Sequence, residues 1–219
     1  MGLKCRKLGM IPAQADAAEH RAFLDGELWP RLGQAQRLRR VVCLGDAAHF
    51  VHGPYLGYLW CFVRLLMRGP SGRKRFNVLG AIDAVTHELT TVCNDTVINA
   101  ETVCELLRAL AARYAGLPLT LVLDNARYQR CALVRQLAKE LRTELLFLPA
   151  YSPNLNLIER LWKFVKKEVL SCRYYEDFSR FKAAIAECLD GVEGEHKSSI
   201  KSLLTLNFQT FDEPQLLAG

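Results

Sequence analysis

Leu119-Thr120-Leu121-Val122-Leu123-Asp124 is the stretch that decides how this chain is put together. Its β-branched and apolar residues run without alternation and stop on an acid, the pattern of a strand buried on both faces. Before it, residues 99–114 place apolar side chains at 103, 106, 107 and 110, one face of a helix, with Asn99 or Thr102 available as the cap. After it, residues 129–141 read as a second helix and 144–149 as another strand. Three further strand-like runs precede this half, at 40–46, 76–83 and 89–93, and their links favour an antiparallel meander. Helices over 157–170 and 178–189 complete the pattern. The predicted class is α/β, a mixed five-stranded sheet flanked by helices.

Composition agrees with a folded domain. The chain has 219 residues, 50% of them hydrophobic and 24% charged, which excludes a disordered or collagen-like chain. Lys and Arg total 29 against 23 Asp and Glu; the net charge of +6 permits a polyanionic partner. None of the 8 cysteines forms a C-x-x-C pair, so zinc-ribbon and thioredoxin-like motifs are excluded. Most lie in apolar stretches, at 42–44, 92–93 and 131–133, and read as small buried hydrophobes of a reducing cytosol. The apolar stretch 55–67 is broken by Gly57 and Arg64, so no membrane span is expected, and residues 1–6 lack the core of a signal peptide. The expected location is cytoplasmic. At the N-terminus, a helix over 17–32 would be ended or kinked by Pro30.

Asp46 and Asp124 each follow an apolar strand run, where an acid leaves the core at the end of the sheet. Each reads equally as a strand-ending turn residue. Glu159 has two readings as well. Asn156-Leu157-Ile158-Glu159 has the spacing of a capping box. The helix that follows buries Leu157, Ile158, Leu161, Trp162, Val165 and Val169 on one stripe, leaving Glu159, Lys163 and Lys166 on a polar strip beside it. Three gathered carboxylates repel one another, and a divalent cation relieves that repulsion. Oxygen ligands suit Mg²⁺ or Mn²⁺, and two such ions can promote phosphodiester cleavage.

Gly45-Asp46-Ala47-Ala48-His49-Phe50, Lys74-Arg75-Phe76-Asn77-Val78-Leu79-Gly80-Ala81, Leu123-Asp124-Asn125-Ala126-Arg127 and the run from Tyr151 to Trp162, with its Ser-Pro-x-Leu-Asn-x-Ile-Glu core, resemble the catalytic domain of DDE transposases. The group they resemble is the bacterial insertion sequences related to mariner elements. The resemblance implies an RNase H-like fold in the order βββαβαβα, with Asp46, Asp124 and Glu159 as catalytic residues and ligands of two Mg²⁺ (or Mn²⁺) ions. It implies hydrolysis at transposon ends and attack of the freed 3′-hydroxyl on target DNA, with a homodimer on DNA; for the target it points only weakly to the TA dinucleotide. Residues 37–190 would form the catalytic domain, 1–36 a helical lead-in and 191–219 a tail. The lead-in is too short for the helix-turn-helix modules such enzymes carry. The chain is therefore expected either to be the catalytic half of a split or truncated reading frame or to have recognition of the ends supplied elsewhere, for instance by a separate N-terminal helix-turn-helix product.

Basic residues cluster at 37–40 and at Arg64, Arg68, Arg73, Lys74 and Arg75. Arg73, Lys74, Arg75, Lys163 and Lys166 are the candidate DNA-binding residues, each of which reads equally as part of a solvated surface. His49 and His52 have odd spacing and would face opposite sides of a strand, unable to share one ion. Trp60 and Trp162 read as core, and Asn125 as a turn residue or one that orients a ligand. Two other functions remain open at this level: a stand-alone RNase H-like nuclease, or a non-catalytic DNA-binding remnant that co-assembles with a full-length transposase. Joined products would separate the first from a transposase, and binding without cleavage would identify the second.

Overall fold

The computed structural model describes residues 14–53, 61–63, 66, 73–171 and 173–210. Five strands, β1 (Val41–Val51), β2 (Arg75–Asp83), β3 (Leu89–Asn94), β4 (Leu119–Leu123) and β5 (Thr143–Phe147), form one sheet in the order β3-β2-β1-β4-β5. β1, β2 and β3 are antiparallel neighbours, whereas β4 lies parallel to both β1 and β5. This is the meander followed by helix-linked parallel strands that the hydrophobic patterning predicts. All five residues of β4 are buried, as its unbroken apolar run requires.

Period-2 alternation divides the core between the two faces of the sheet. Cys43, Leu79, Ala81, Leu121 and Leu123 face α3 (Ala100–Arg113) and α4 (Ala132–Glu140), which add Val103, Leu106, Leu107, Leu110, Val134 and Ala138. Val42, Leu44, Phe50, Val78, Ile82 and Val122 face the opposite way. There they meet Leu161, Trp162 and Val165 of α5 (Ile158–Leu170) and Phe181 and Ile185 of α6 (Phe178–Asp190). α3 starts where its sequence allows, because Asn99 and Thr102 close a reciprocal capping box.

Several elements differ from their sequence expectation. The N-terminal helix does not end at Pro30. α1 (Ala17–Phe23) opens into a π-helical turn over Leu24–Leu28 and continues as α2 (Trp29–Gln36). Pro30 lies at the start of that helix, where an N–H is dispensable. Leu24, Leu28, Leu32 and Ala35 bury themselves in the same core as α5. The second predicted helix starts later than expected, at Ala132, because residues 127–129 form a 3-10 turn. Beyond α6, Lys197–Leu203 forms a further helix, α7, and Ile200, Leu204 and Phe208 join the main core. Of the cysteines expected to be buried, Cys43 is buried, Cys131 is partly buried, and Cys93 is exposed on the edge strand β3; Cys104 and Cys188 are buried as well. Cys5, Cys172, Trp60, Arg64 and Arg68 lie outside the described residues, as do residues 1–6 and most of the 55–67 stretch. No described helix is long and apolar enough to cross a membrane.

Glu144 on β5 ties the N-terminal helix to the sheet. It receives Arg31 at 2.5 Å, Arg40 at 2.6 Å and the Thr120 hydroxyl at 2.8 Å. The Arg31 fork, with Thr120 and Arg40, holds its carboxyl down at about 2. A depressed carboxylate contributes stability above its unfolded value, near pH 4, and loses it as pH falls toward 2. Glu144→Gln is expected to lower stability at neutral pH by about 1 kcal/mol, since the pair is part-exposed and screened. Chemical denaturation from about pH 5 to pH 2.5 checks the sign: wild type should lose more stability over that window than the variant.

Candidate active site

β1 does not end at Asp46; it continues to Val51, paired with β2 throughout. Asp46 is thus a mid-strand residue, contrary to the expectation that it closes the strand. The neighbour on its other side is what ends there. Val41 faces Leu119 and Leu44 faces Val122, and continuing this register by two residues sets Asp46 beside Asp124, just past the end of β4. Adjacent strands lie about 4.8 Å apart. By alternation Asp46 shares a face with Val42 and Leu44, and Asp124 shares that face with Val122. This is the face that α5 covers, and Glu159 lies in the first turn of α5.

A cleft of ≈ 420 Å³ opens where these elements meet. Its walls include Asp46, Asp124 and Glu159, together with Asn125, Asn156 and the segment from Leu148 to Pro153. None of the described residues that line it is a lysine or arginine. Burial, then the Glu159 charge and more weakly that of Asp124, pushes the Asp46 carboxyl up to about 7, against smaller lowering by the Ala47 backbone and Trp162. Burial and the two aspartates likewise raise the Tyr128 phenol to about 12, so it stays protonated.

The surrounding contacts fix the loops. Glu159 is not half of a capping box. Asn156 instead donates from Nδ2 to the Gly45 carbonyl at 3.1 Å, anchoring the entry to α5 on the residue before Asp46. Asn125 donates to the Leu148 carbonyl at 2.5 Å and accepts from Arg130, so it braces the loop after β4. Asp124 also makes a long turn contact, accepting from the Ala126 N–H at 3.4 Å. Ser152 is buried and lies 2.7 Å from Nε2 of His20, which links α1 to the cleft wall. Arg160 donates to the carbonyls of Leu203, Thr205 and Asn207 and draws the C-terminal segment against the start of α5.

The candidate DNA-binding residues do not join the carboxylates. Arg75 pairs with Val51, five positions along β1 from Asp46, or roughly 17 Å. Arg73, Lys74 and Arg75 line a separate cleft with Asp95, Thr96 and Phe178. Lys163 and Lys166 are exposed on the outer side of α5. His49 and His52 have separate partners, Asn77 and the Tyr175 carbonyl.

Gly80 and Trp162 carry more of the site than the sequence reading assigns them. Gly80 is the residue directly opposite Asp46 on β2, and a Cβ there would meet Cη2 and Cζ2 of Trp162 at 2.7 and 2.9 Å. A glycine inside an otherwise apolar strand is the signal of such a close approach.

Among the described residues the cleft offers carboxylate and amide oxygens and no cationic side chain, which is the donor chemistry of a hard divalent ion. As the side chains stand, no three His, Cys, Asp or Glu residues among those described are close enough to hold one ion together. Like charges without a counter-ion repel, and an ion would draw them inward.

Comparison with known proteins places these features. The family model described as DDE superfamily endonuclease matches residues 41–182, well over half the chain. No curated protein matches the sequence significantly. Among solved structures, the Mos1 transposase paired-end complex with left transposon end is similar at 17% identity and a TM-score of 0.62, over 94% of this chain and 68% of that one. The Mos1 mariner paired end complex with Mn gives 16% and 0.60, over 95% and 68%. The catalytic domain of Mos1 mariner transposase gives 15% and 0.56, over 93% and 100%. These likenesses show a shared fold, the RNase H-like arrangement expected above.

Proposed function

The chain belongs to the DDE superfamily endonuclease family, and from that premise we propose that it is a transposase catalytic domain that cuts DNA at transposon ends and joins the freed 3′-hydroxyl to target DNA. The observation that carries this reading is that Asp46, Asp124 and Glu159, from three separate elements, line one cleft whose described lining residues include no lysine or arginine. The Mos1 structures are described with a transposon end and with Mn, which supports DNA and a divalent metal as its counterparts.

Asp46, Asp124 and Glu159 are the residues that would hold two Mg²⁺ or Mn²⁺ ions. Bound there, the ions supply activation of the attacking oxygen and charge stabilisation on the leaving one. The carboxylates project from a sheet and a helix whose apolar faces are packed in the core, so the backbone that carries them is held while their side chains would move inward to share an ion. Asn125 and Asn156 hold the loops that carry Asp124 and Glu159. Arg73, Lys74, Arg75, Lys163 and Lys166 would contact phosphates away from the reacting bond, and two chains would act together on DNA. Such contacts make binding fall steeply with salt.

Incubating the protein with end-labelled DNA bearing the element's termini, with Mg²⁺ or Mn²⁺, tests the reading. Wild type should give strand cleavage and joined products that vanish with chelator. Asp124→Asn should lose at least about a thousandfold in rate while keeping its melting temperature, a loss comparable to removing a major electrostatic catalyst. Metal-independent cleavage, or full activity in Asp124→Asn, would overturn it.

A further inference from the structure

Trp162 is 2% exposed and packed within the core, yet its indole Nε1 makes no hydrogen bond of ordinary geometry with any described residue. A buried N–H left without an acceptor is costly, and a tryptophan used only as apolar filling would be replaced without loss by a ring that lacks one. The position of the ring explains the donor. Its Cζ2 and Cη2 atoms rest where a Cβ on Gly80 would stand. In the indole framework Nε1 is attached to the ring carbon next to Cζ2, so the N–H leaves the same edge of the ring. Gly80 faces Asp46 directly across the β1–β2 ladder, and both residues point toward α5. The edge of the ring that carries the N–H therefore lies against the strand pair at Asp46, on the face that the Asp46 side chain shares.

We propose that the Trp162 indole N–H is the donor that orients the Asp46 carboxylate, making Trp162 a positioning residue of this site, with Gly80 as the gap that lets its ring reach. The inference rests on the reading of Asp46 as a metal ligand only where it concerns metal binding; the proposed contact itself needs no metal. A donor behind a ligand fixes which carboxylate oxygen faces the cleft, and losing such partners commonly costs 10–100-fold in metal affinity.

The test uses the full chain labelled with ¹⁵N-tryptophan, in which Trp29, Trp60 and Trp162 each give one indole N–H resonance. Replacing Trp162 with benzothienylalanine keeps the bicyclic shape, removes the N–H and assigns the resonance by its loss. Trp162→Phe is a second variant should the isostere fold poorly. Without metal, Asp46→Asn should move the Trp162 resonance and leave the other two in place. The isostere should bind Mn²⁺ about tenfold more weakly than wild type by electron paramagnetic resonance, with an unchanged melting temperature. An unmoved Trp162 resonance in Asp46→Asn overturns the proposal, as does unaltered Mn²⁺ affinity in the isostere. Absence of Mn²⁺ binding by wild type would instead overturn the reading of the carboxylates, and the resonance shift alone would then decide the contact.

Discussion

Asp46→Asn is expected to make the metal-free protein more stable while abolishing strand cleavage. Burial and the charges of Glu159 and Asp124 push the Asp46 carboxyl up to about 7 in the folded chain. The unfolded value is near 4, so folding disfavours the ionised form. The sign follows from proton linkage: this destabilisation is absent below about pH 4, grows between pH 4 and 7, and is fully present above 7. An amide of the same shape removes it. Three pKa units would correspond to about 4 kcal/mol, and allowing for solvent access to the cleft, a gain of about 2 kcal/mol at pH 8 is expected. At pH 4 the gain should vanish. Thermal melts at the two pH values with chelator present measure the difference, and equal melting temperatures at pH 8 would contradict it. Such a trade of stability for function is what a cluster of like charges built to receive a cation entails.

Gly80→Ala is the second large effect. A methyl group at this position would stand 2.7 and 2.9 Å from Trp162 and 3.2 Å from Cδ1 of Ile158. Neither neighbour is the loose end of a flexible side chain: Trp162 is 2% exposed and Ile158 0%. The ring must leave its place or α5 must lift from the sheet. Overpacking of this kind costs about 1–3 kcal/mol. Because α5 carries Glu159 and the indole that faces Asp46, the same substitution should weaken Mn²⁺ binding by at least about tenfold. Gly33→Ala supplies the contrast, for it sits in α2 with nothing within 4 Å of the added atom and should be neutral or mildly stabilising. Denaturant midpoints and Mn²⁺ titrations on the two variants, read together, separate a specific clash from a general cost of adding a methyl group. A Gly80→Ala chain as stable as wild type would show that the ring is not wedged there.

What could be read from the amino acids alone followed their range of interaction. The stripe Leu157, Ile158, Leu161, Trp162, Val165 and Val169 is a local periodicity, and the helix buries it as written. The unbroken run of β4 and the order of elements along the chain were legible for the same reason, whereas the placing of β1 beside β4 in the sheet was not. Asp46 was misplaced at a strand end because the continuation, Ala47 to Val51, is a strand only through its pairing with β2, a partner distant in the chain. Asn156 has the right spacing for a cap, but the Gly45 carbonyl on β1 takes its amide, an acceptor no local pattern announces. Pro30 predicts an end or a kink because proline lacks an N–H; the structure takes the second course, with a π-helical turn before Pro30 and the helix continuing after it. The carboxylates were visible as three residues, and two were visible as strand-associated acids. Their common face follows from alternation only once the β1–β4 register is known. Gly80 could have been noticed as a glycine within an apolar strand, although its partner in the contact could not.

The central claim is that Asp46, Asp124 and Glu159 form one divalent-metal site. Anomalous diffraction from crystals of this chain soaked in Mn²⁺ measures that directly. Peaks within the cleft, ligated by carboxylate oxygens of all three residues and absent from Asp124→Asn crystals, are the expected result. Mn²⁺ bound elsewhere with the cleft empty at saturating concentration, or a peak in the cleft that survives in Asp124→Asn with unchanged occupancy, would contradict it.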